Sequence, residues 1–324
     1  MLLLKEFADV INQYFILLHY NMSYAISIVC SCRNDNYGEN LLHRISYFLR
    51  SIDRFELPIE IILVEWNPLD DYEPIADIIA KWHTSIPFHH PIRVITVSKE
   101  NHGKFISKFH YTEGYKSFQE YPSKNVGIRH AKGYYIIQTN PDIFYPISTI
   151  RFIENMIRTK NIQHVITCGN PRGKRVDLLE VHMFPPIITL KTKDEVKIGL
   201  DNMEKYIVTY RHIIKQVNTN ALGDFMLFKR EYALRTKSFK ECPIALHHHE
   251  QPFIDEFAKH GWPEKPIDGI TIYHFDHSRI SYEKVDEYQK INPAIVSLEY
   301  LRSLQNNDNW GCNDLQLSER VITA

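Results

Sequence analysis

A single carboxylate just past a buried strand is the strongest chemical signal in this chain. Asp142 ends the sequence Thr139-Asn140-Pro141-Asp142, directly after the apolar run Tyr134 to Thr139. That run is β-rich and of strand length. Pro141 cannot donate to a sheet ladder, so the strand should stop there. A carboxylate beyond the carboxyl end of a central strand lies where open α/β sheets bind ligands. The plainer role is a cap on the next helix. Other groups that could hold metal are less well spaced. His247, His248 and His249 are adjacent, so they cannot easily turn three rings onto one ion, and the His-x₃-His spacing of a helical zinc site is missing. Five cysteines show no ligand spacing. Cys30 and Cys32 share one face of a strand and are poorly placed to bond each other. An odd count without a framework indicates a reducing compartment.

The elements that must position Asp142 are legible on both sides of it. Tyr24 to Ser31 reads as a strand, followed by the polar turn Asn34-Asp35-Asn36-Tyr37-Gly38. Leu41, Leu42, Ile45, Phe48, Leu49 and Ile52 then form a helical stripe. IEIILVEW is a second buried strand ending on Glu65, which completes a βαβ unit. A helix over Asp71 to Trp82 and a strand over Pro91 to Val97 follow, then an irregular polar and aromatic segment from Ser98 to Pro122. Ser123 is expected to cap a short helix and Gly133 to end it. Beyond Pro146 come a helix (ISTIRFIENMIRTK), a strand (QHVITCGN), a helical patch near Met203 to Lys215 and a strand over Gly223 to Phe228. Gln251 to His260 is a helix stopped by Gly261, and Ile270 to Tyr273 is the last strand. YEKVDEYQK in the tail is also expected to be helical.

At this point a family resemblance enters. Lys124-Asn125-x-Gly127-Ile128-x-x-Ala131-x-Gly133, a hydrophobic strand and Asn140-x-Asp142 together resemble the nucleotide-sugar half of GT-A glycosyltransferases, most of all family 2. The resemblance implies a GT-A fold: α/β, Rossmann-like, with a mostly parallel central sheet flanked by helices, an acceptor-binding second half and a helical C-terminal tail. It implies domains at 1–22 (an amphipathic helix), 23–145 (nucleotide-sugar binding), 146–280 (acceptor binding and catalysis) and 281–324 (the tail). It places Asp35, Glu65, Asn125, Asn140 and Arg279 around the nucleotide. Asp142 becomes a metal ligand, completed by His274 or His277. Counted back from Gly261, the family's acidic pair falls on His249-Glu250, so Glu250 is the candidate general base, with Asp255 next in line. Two acidic positions of the family are changed here, to Asn140 and to His249.

The implied reaction is metal-assisted, inverting transfer of a sugar from a nucleotide sugar, taken as UDP-linked, to a hydroxyl of a glycan or other acceptor. Mn²⁺ or Mg²⁺ would offset the charge on the leaving diphosphate. A non-catalytic nucleotide- or glycan-binding protein on the same scaffold is the first alternative. A nucleotidyltransferase is the second, although CSCRNDNYG lacks a Gly-rich basic phosphate loop. A formal net charge of -1 provides no basic field for nucleic acid. No stretch reaches the roughly 18 apolar residues that spanning a bilayer needs. A cytoplasmic enzyme is therefore expected, with peripheral contact at the cytosolic face of a membrane through residues 1–22 as the one lipid role.

Overall fold

Strands that are apolar on both faces need cover on both faces, and the centre of this fold is built from such strands. A computed structural model of the chain describes residues 23–109, 118–159, 162–168, 175–178, 187–210, 216–217, 223–242, 250–267, 269–275, 277 and 298–323. The first half comprises β1 (Tyr24–Cys32), α1 (Leu41–Ile52), β2 (Ile59–Trp66), α2 (Ile75–Ser85), β3 (Ile92–Val97), α3 (Lys99–Ile106), α4 (Glu120–His130) and β4 (Gly133–Thr139). β1 pairs in parallel with β2 and with β4, and β2 pairs in parallel with β3. The order β3-β2-β1-β4 means that the winding reverses between β1 and β4. One face is covered by Ile45, Phe48, Leu49 and Ile52 of α1. Val126 and Ile128 of α4 lie in a second cluster with Val29, Ile62 and Val64.

The second half contributes β5 (Ile143–Phe144), α5 (Ile147–Thr159), β6 (Val165–Cys168), β7 (Arg175–Leu178), α6 (Lys193–Tyr210), β8 (Gln216–Val217), β9 (Phe225–Lys229), α7 (Arg230–Thr236), α8 (Glu250–Lys259), β10 (Glu264–Ile267), β11 (Ile272–Phe275), α9 (Leu298–Ser303) and β12 (Ser318–Ile322). The large sheet runs β10-β6-β9-β4-β1-β2-β3-β12, with β9 antiparallel to both β4 and β6. A smaller sheet, β5-β11-β7-β8, starts directly after Asp142. The fold is thus α/β, with an eight-stranded mixed sheet, parallel at its heart and flanked by helices. No helix among the described residues is long and apolar enough to cross a membrane.

Local differences from the sequence reading have physical causes. α4 starts at Glu120, one turn earlier than expected, so Ser123 lies inside the helix and contacts Val64 O at 3.4 Å instead of capping. The helix ends at His130, and Gly133 opens β4 rather than ending α4. A side chain at Gly133 would strike the Ser27 backbone on β1, so the glycine is there for close approach. The segment after Ser98 begins with α3, and Ser98 Oγ accepts from Asn101 N at 3.2 Å as its cap. The tail adds a strand that the sequence reading missed, β12 on the β3 edge. Arg93 within β3 is matched by Glu60 at 2.6 Å and Glu319 at 2.7 Å, which ties β12 to the sheet. All five cysteines are free and buried. The expected helices at 1–22 and YEKVDEYQK, the His247–His249 run and Arg279 lie outside the described residues.

Candidate active site

The loops after β1 and β4 meet where the sheet reverses, and Asp142 stands at that meeting. The small sheet delivers its partners. Phe275 N donates to Asp142 O at 2.9 Å, and the β5–β11 ladder sets His274 opposite Ile143. This brings His274 Nε2 to 3.4 Å and His277 Nε2 to 3.2 Å from Asp142 Oδ2. One ligand-type atom from each residue lies within 4.8 Å of the others. The loop after β1 closes the third side. Tyr37 meets the His277 ring edge-on at 5.1 Å. Gly38 has φ +67°, and a Cβ there would collide with that ring. Arg44, fully buried in α1, donates to Tyr37 O, and its Nη1 lies 3.7 Å from Asp142 Oδ2.

Burial alone would raise the Asp142 pKa. His274, His277 and Arg44 outweigh it and hold the carboxyl well below the usual range. Asp142 Oδ1 is buried and has no hydrogen-bond partner among the described residues. Two imidazole nitrogens, one carboxylate oxygen and a spare buried oxygen fit a divalent transition-row cation. They suit Mg²⁺ less, because it prefers an octahedron of oxygens.

A second carboxylate is set up differently. Glu250 opens α8, and its Oε1 accepts from Tyr121 Oη at 2.5 Å. A Cβ at Gly223 would stand 2.7 Å from the same oxygen, so a side chain there would displace the Glu250 carboxylate. Gly223 O accepts from Gln138 Nε2 at 2.7 Å and from the buried Lys124 Nζ at 3.1 Å. Lys124 also pairs with Glu120 at 2.7 Å. Burial raises the Glu250 pKa, and the Tyr121 hydrogen bond only partly opposes it. Asp224, the next residue after Gly223, reaches the end of β4, two residues before Asp142. Its carbonyl accepts from Thr139 Oγ1 at 2.7 Å, and its Oδ1 from Asn140 Nδ2 at 2.8 Å.

The remaining sequence-predicted residues are placed as follows. Asp35 lies in the loop after β1, where it accepts from Tyr37 N at 3.2 Å and faces Arg33 at 3.7 Å. Glu65 is fully buried, and its Oε1 caps α2 by accepting from Ile75 N at 2.9 Å. Asn125 is fully buried too. Its amide donates to Phe239 O and accepts from Phe239 N, at 2.8 and 3.0 Å. Both side chains thus serve the framework. Asp255 is taken by Gln251 at 2.9 Å and by Arg302 of α9 at 2.7 Å. The residues that sequence reasoning missed are Arg44, Tyr121, Lys124 and Asp224. Arg44 carried a signal, a cation amid the apolar stripe of α1. Asp224 carried one too, an acid behind a small residue at the start of a strand, but no role was assigned to it.

Comparisons with known proteins add the following. No protein-family model matches the sequence, and the search of curated proteins found no match. Among solved structures, the chain is similar to a mannosyltransferase, PcManGT from Pyrobaculum calidifontis in complex with GDP-Man and Mn2+. The identity is 11% and the TM-score 0.45, with 87% of this chain and 68% of that one covered. It is also similar to S. aureus TarS 1-349, at 12% identity and TM-score 0.43, covering 82% of this chain and 63% of that one. A mycobacterial protein is similar at 11% identity and TM-score 0.42, covering 93% and 84%.

Proposed function

We propose that the chain is a GT-A glycosyltransferase similar to family 2, moving a sugar from a nucleotide-sugar donor to an acceptor hydroxyl with inversion. The observation that carries the reading is the Asp142–His274–His277 cluster at the sheet's reversal point. The sequence resemblance expects a diphosphate and its metal at that place. In this reading Asp142 and both histidines hold a divalent cation, Mn²⁺ rather than Mg²⁺ given the two imidazoles. When bound, the cation would offset charge on the departing nucleoside diphosphate. Arg44 fixes the loop after β1 and the Asp142 carboxylate together. Asp35 in that loop borders the nucleoside. Glu250 takes the proton of the acceptor hydroxyl, its raised pKa making it a stronger base than an ordinary carboxylate.

A thermal-shift panel of nucleoside diphosphates and nucleotide sugars, each with and without Mn²⁺, tests the proposal. A ligand that binds only the folded chain raises the melting midpoint. The expected result is a shift with UDP or UDP-sugars that requires Mn²⁺. No shift with any nucleotide, in a folded sample, would move the chain to the non-catalytic alternative.

A further inference from the structure

Among the described residues the three-residue cluster has one carboxylate, Asp142, and Arg44 faces it at 3.7 Å. Ligand charge is one determinant of how tightly a divalent cation is held. Asn140 occupies the position where the family pattern has a second acid, and an amide brings no charge. The antiparallel ladder supplies one from another element. Thr139 pairs with Phe225 across β4 and β9, so the next pair in register is Asn140 with Asp224. The side chains bear this out, since the Asn140 amide donates to Asp224 Oδ1 at 2.8 Å. Asp224 is buried, at 5% exposure, and its carbonyl is fixed by Thr139.

We infer that Asp224 is the second acid of the metal site, moved from the Asn140 position to the neighbouring strand and coupled back through the Asn140 amide. It lies outside the 4.8 Å cluster, so it is a positioning residue. It orients Asn140 and contributes the second negative charge of the site. Outer partners of this kind typically govern metal affinity by about 10–100-fold. The inference rests on the metal-dependent reading above.

The test is Mn²⁺ titration of the full chain by calorimetry, alone and with UDP or GDP, for wild type, Asp224→Asn and the swap Asn140→Asp/Asp224→Asn. Asp224→Asn should weaken Mn²⁺ binding by about tenfold or more, with the melting midpoint checked in parallel. The swap restores one carboxylate and one amide in reversed order. It should bind within a factor of about three of wild type, as expected when charge rather than identity matters. A merely structural role for Asp224 would not predict that rescue. The swap keeps the hydrogen-bonded pair, so it remains decisive where Asp224→Asn fails to fold. An indifferent Asp224→Asn, or a swap that binds much more weakly than wild type, overturns the inference alone. A wild-type chain that takes up no Mn²⁺ under any of these conditions overturns the metal reading and this inference together.

Discussion

Asp142, buried, and Glu250, half-buried, both stand near the end of β4, and their surroundings push them in opposite directions. Asp142 is ringed by His274, His277 and Arg44, and its pKa falls. Glu250 has a phenol for a partner, and burial prevails, so its pKa rises. In the proposed function the same functional group serves as a stable anion in one place and as the proton acceptor in the other. Environments that separate the pKa values of two acids are how one site divides electrostatic work from proton transfer. The segment Gly223-Asp224 joins the two regions, one residue packed on Glu250 and the next bonded to Asn140.

The largest way to break this contrast is Asp142→Ala. It should abolish Mn²⁺-dependent nucleotide binding and reduce turnover on the order of 10³-fold, as when a fixed electrostatic stabiliser is removed. Calorimetry with Mn²⁺ and UDP checks the first effect and a donor-consumption assay the second. Wild-type turnover in this variant would remove Asp142 from the site. Glu250→Gln should act on one side only. Donor binding stays at the wild-type level while turnover drops about 10²–10⁴-fold, the span of general base catalysis. Loss of binding along with turnover would mean that the two carboxylates form one site with one role.

The finest probe is Tyr121→Phe. The tyrosine hydroxyl donates to the ionised form of Glu250 and so lowers its pKa against burial. Removing it should raise the Glu250 pKa further. A base works only when deprotonated, so the acid limb of the pH–rate profile should move to higher pH. The plateau at high pH should change by roughly tenfold or less, since the freed carboxylate is more basic but less firmly held. A limb that stays in place would show that Glu250 does not set the profile.

Much of the fold was readable because its first half repeats simple signals. IEIILVEW matches β2 end to end, and the stripe from Leu41 to Ile52 matches α1, because period and continuous apolarity follow from burial on one face or on both. The reading weakened where chain geometry outweighed local preference. Ser123 has the chemistry of a cap, yet α4 continues through it because the helix packs against β1 and β2 and is buried from Pro122 to Ile128. Glu65 and Asn125 occupy the expected positions, and each also holds a buried backbone group, Ile75 N for Glu65 Oε1 and Phe239 N for Asn125, a role that only the neighbouring elements could reveal. One late histidine was expected beside Asp142 and two are there. Their shared approach depends on β11 pairing with β5, a contact between residues far apart in sequence.

By itself the sequence determined the alternation of strands and helices, the end of β4 before Pro141 and the presence of an acid just beyond it. Hydrophobic period, proline chemistry and strand length act locally and need no partner. Only the tertiary structure decided what surrounds that acid. Arg44 comes from the first crossover helix, His274 from β11, His277 from just beyond it and Asp224 from an antiparallel neighbour. Each was placed by sheet order and register, and those are set by the packing of the whole core rather than by any one segment.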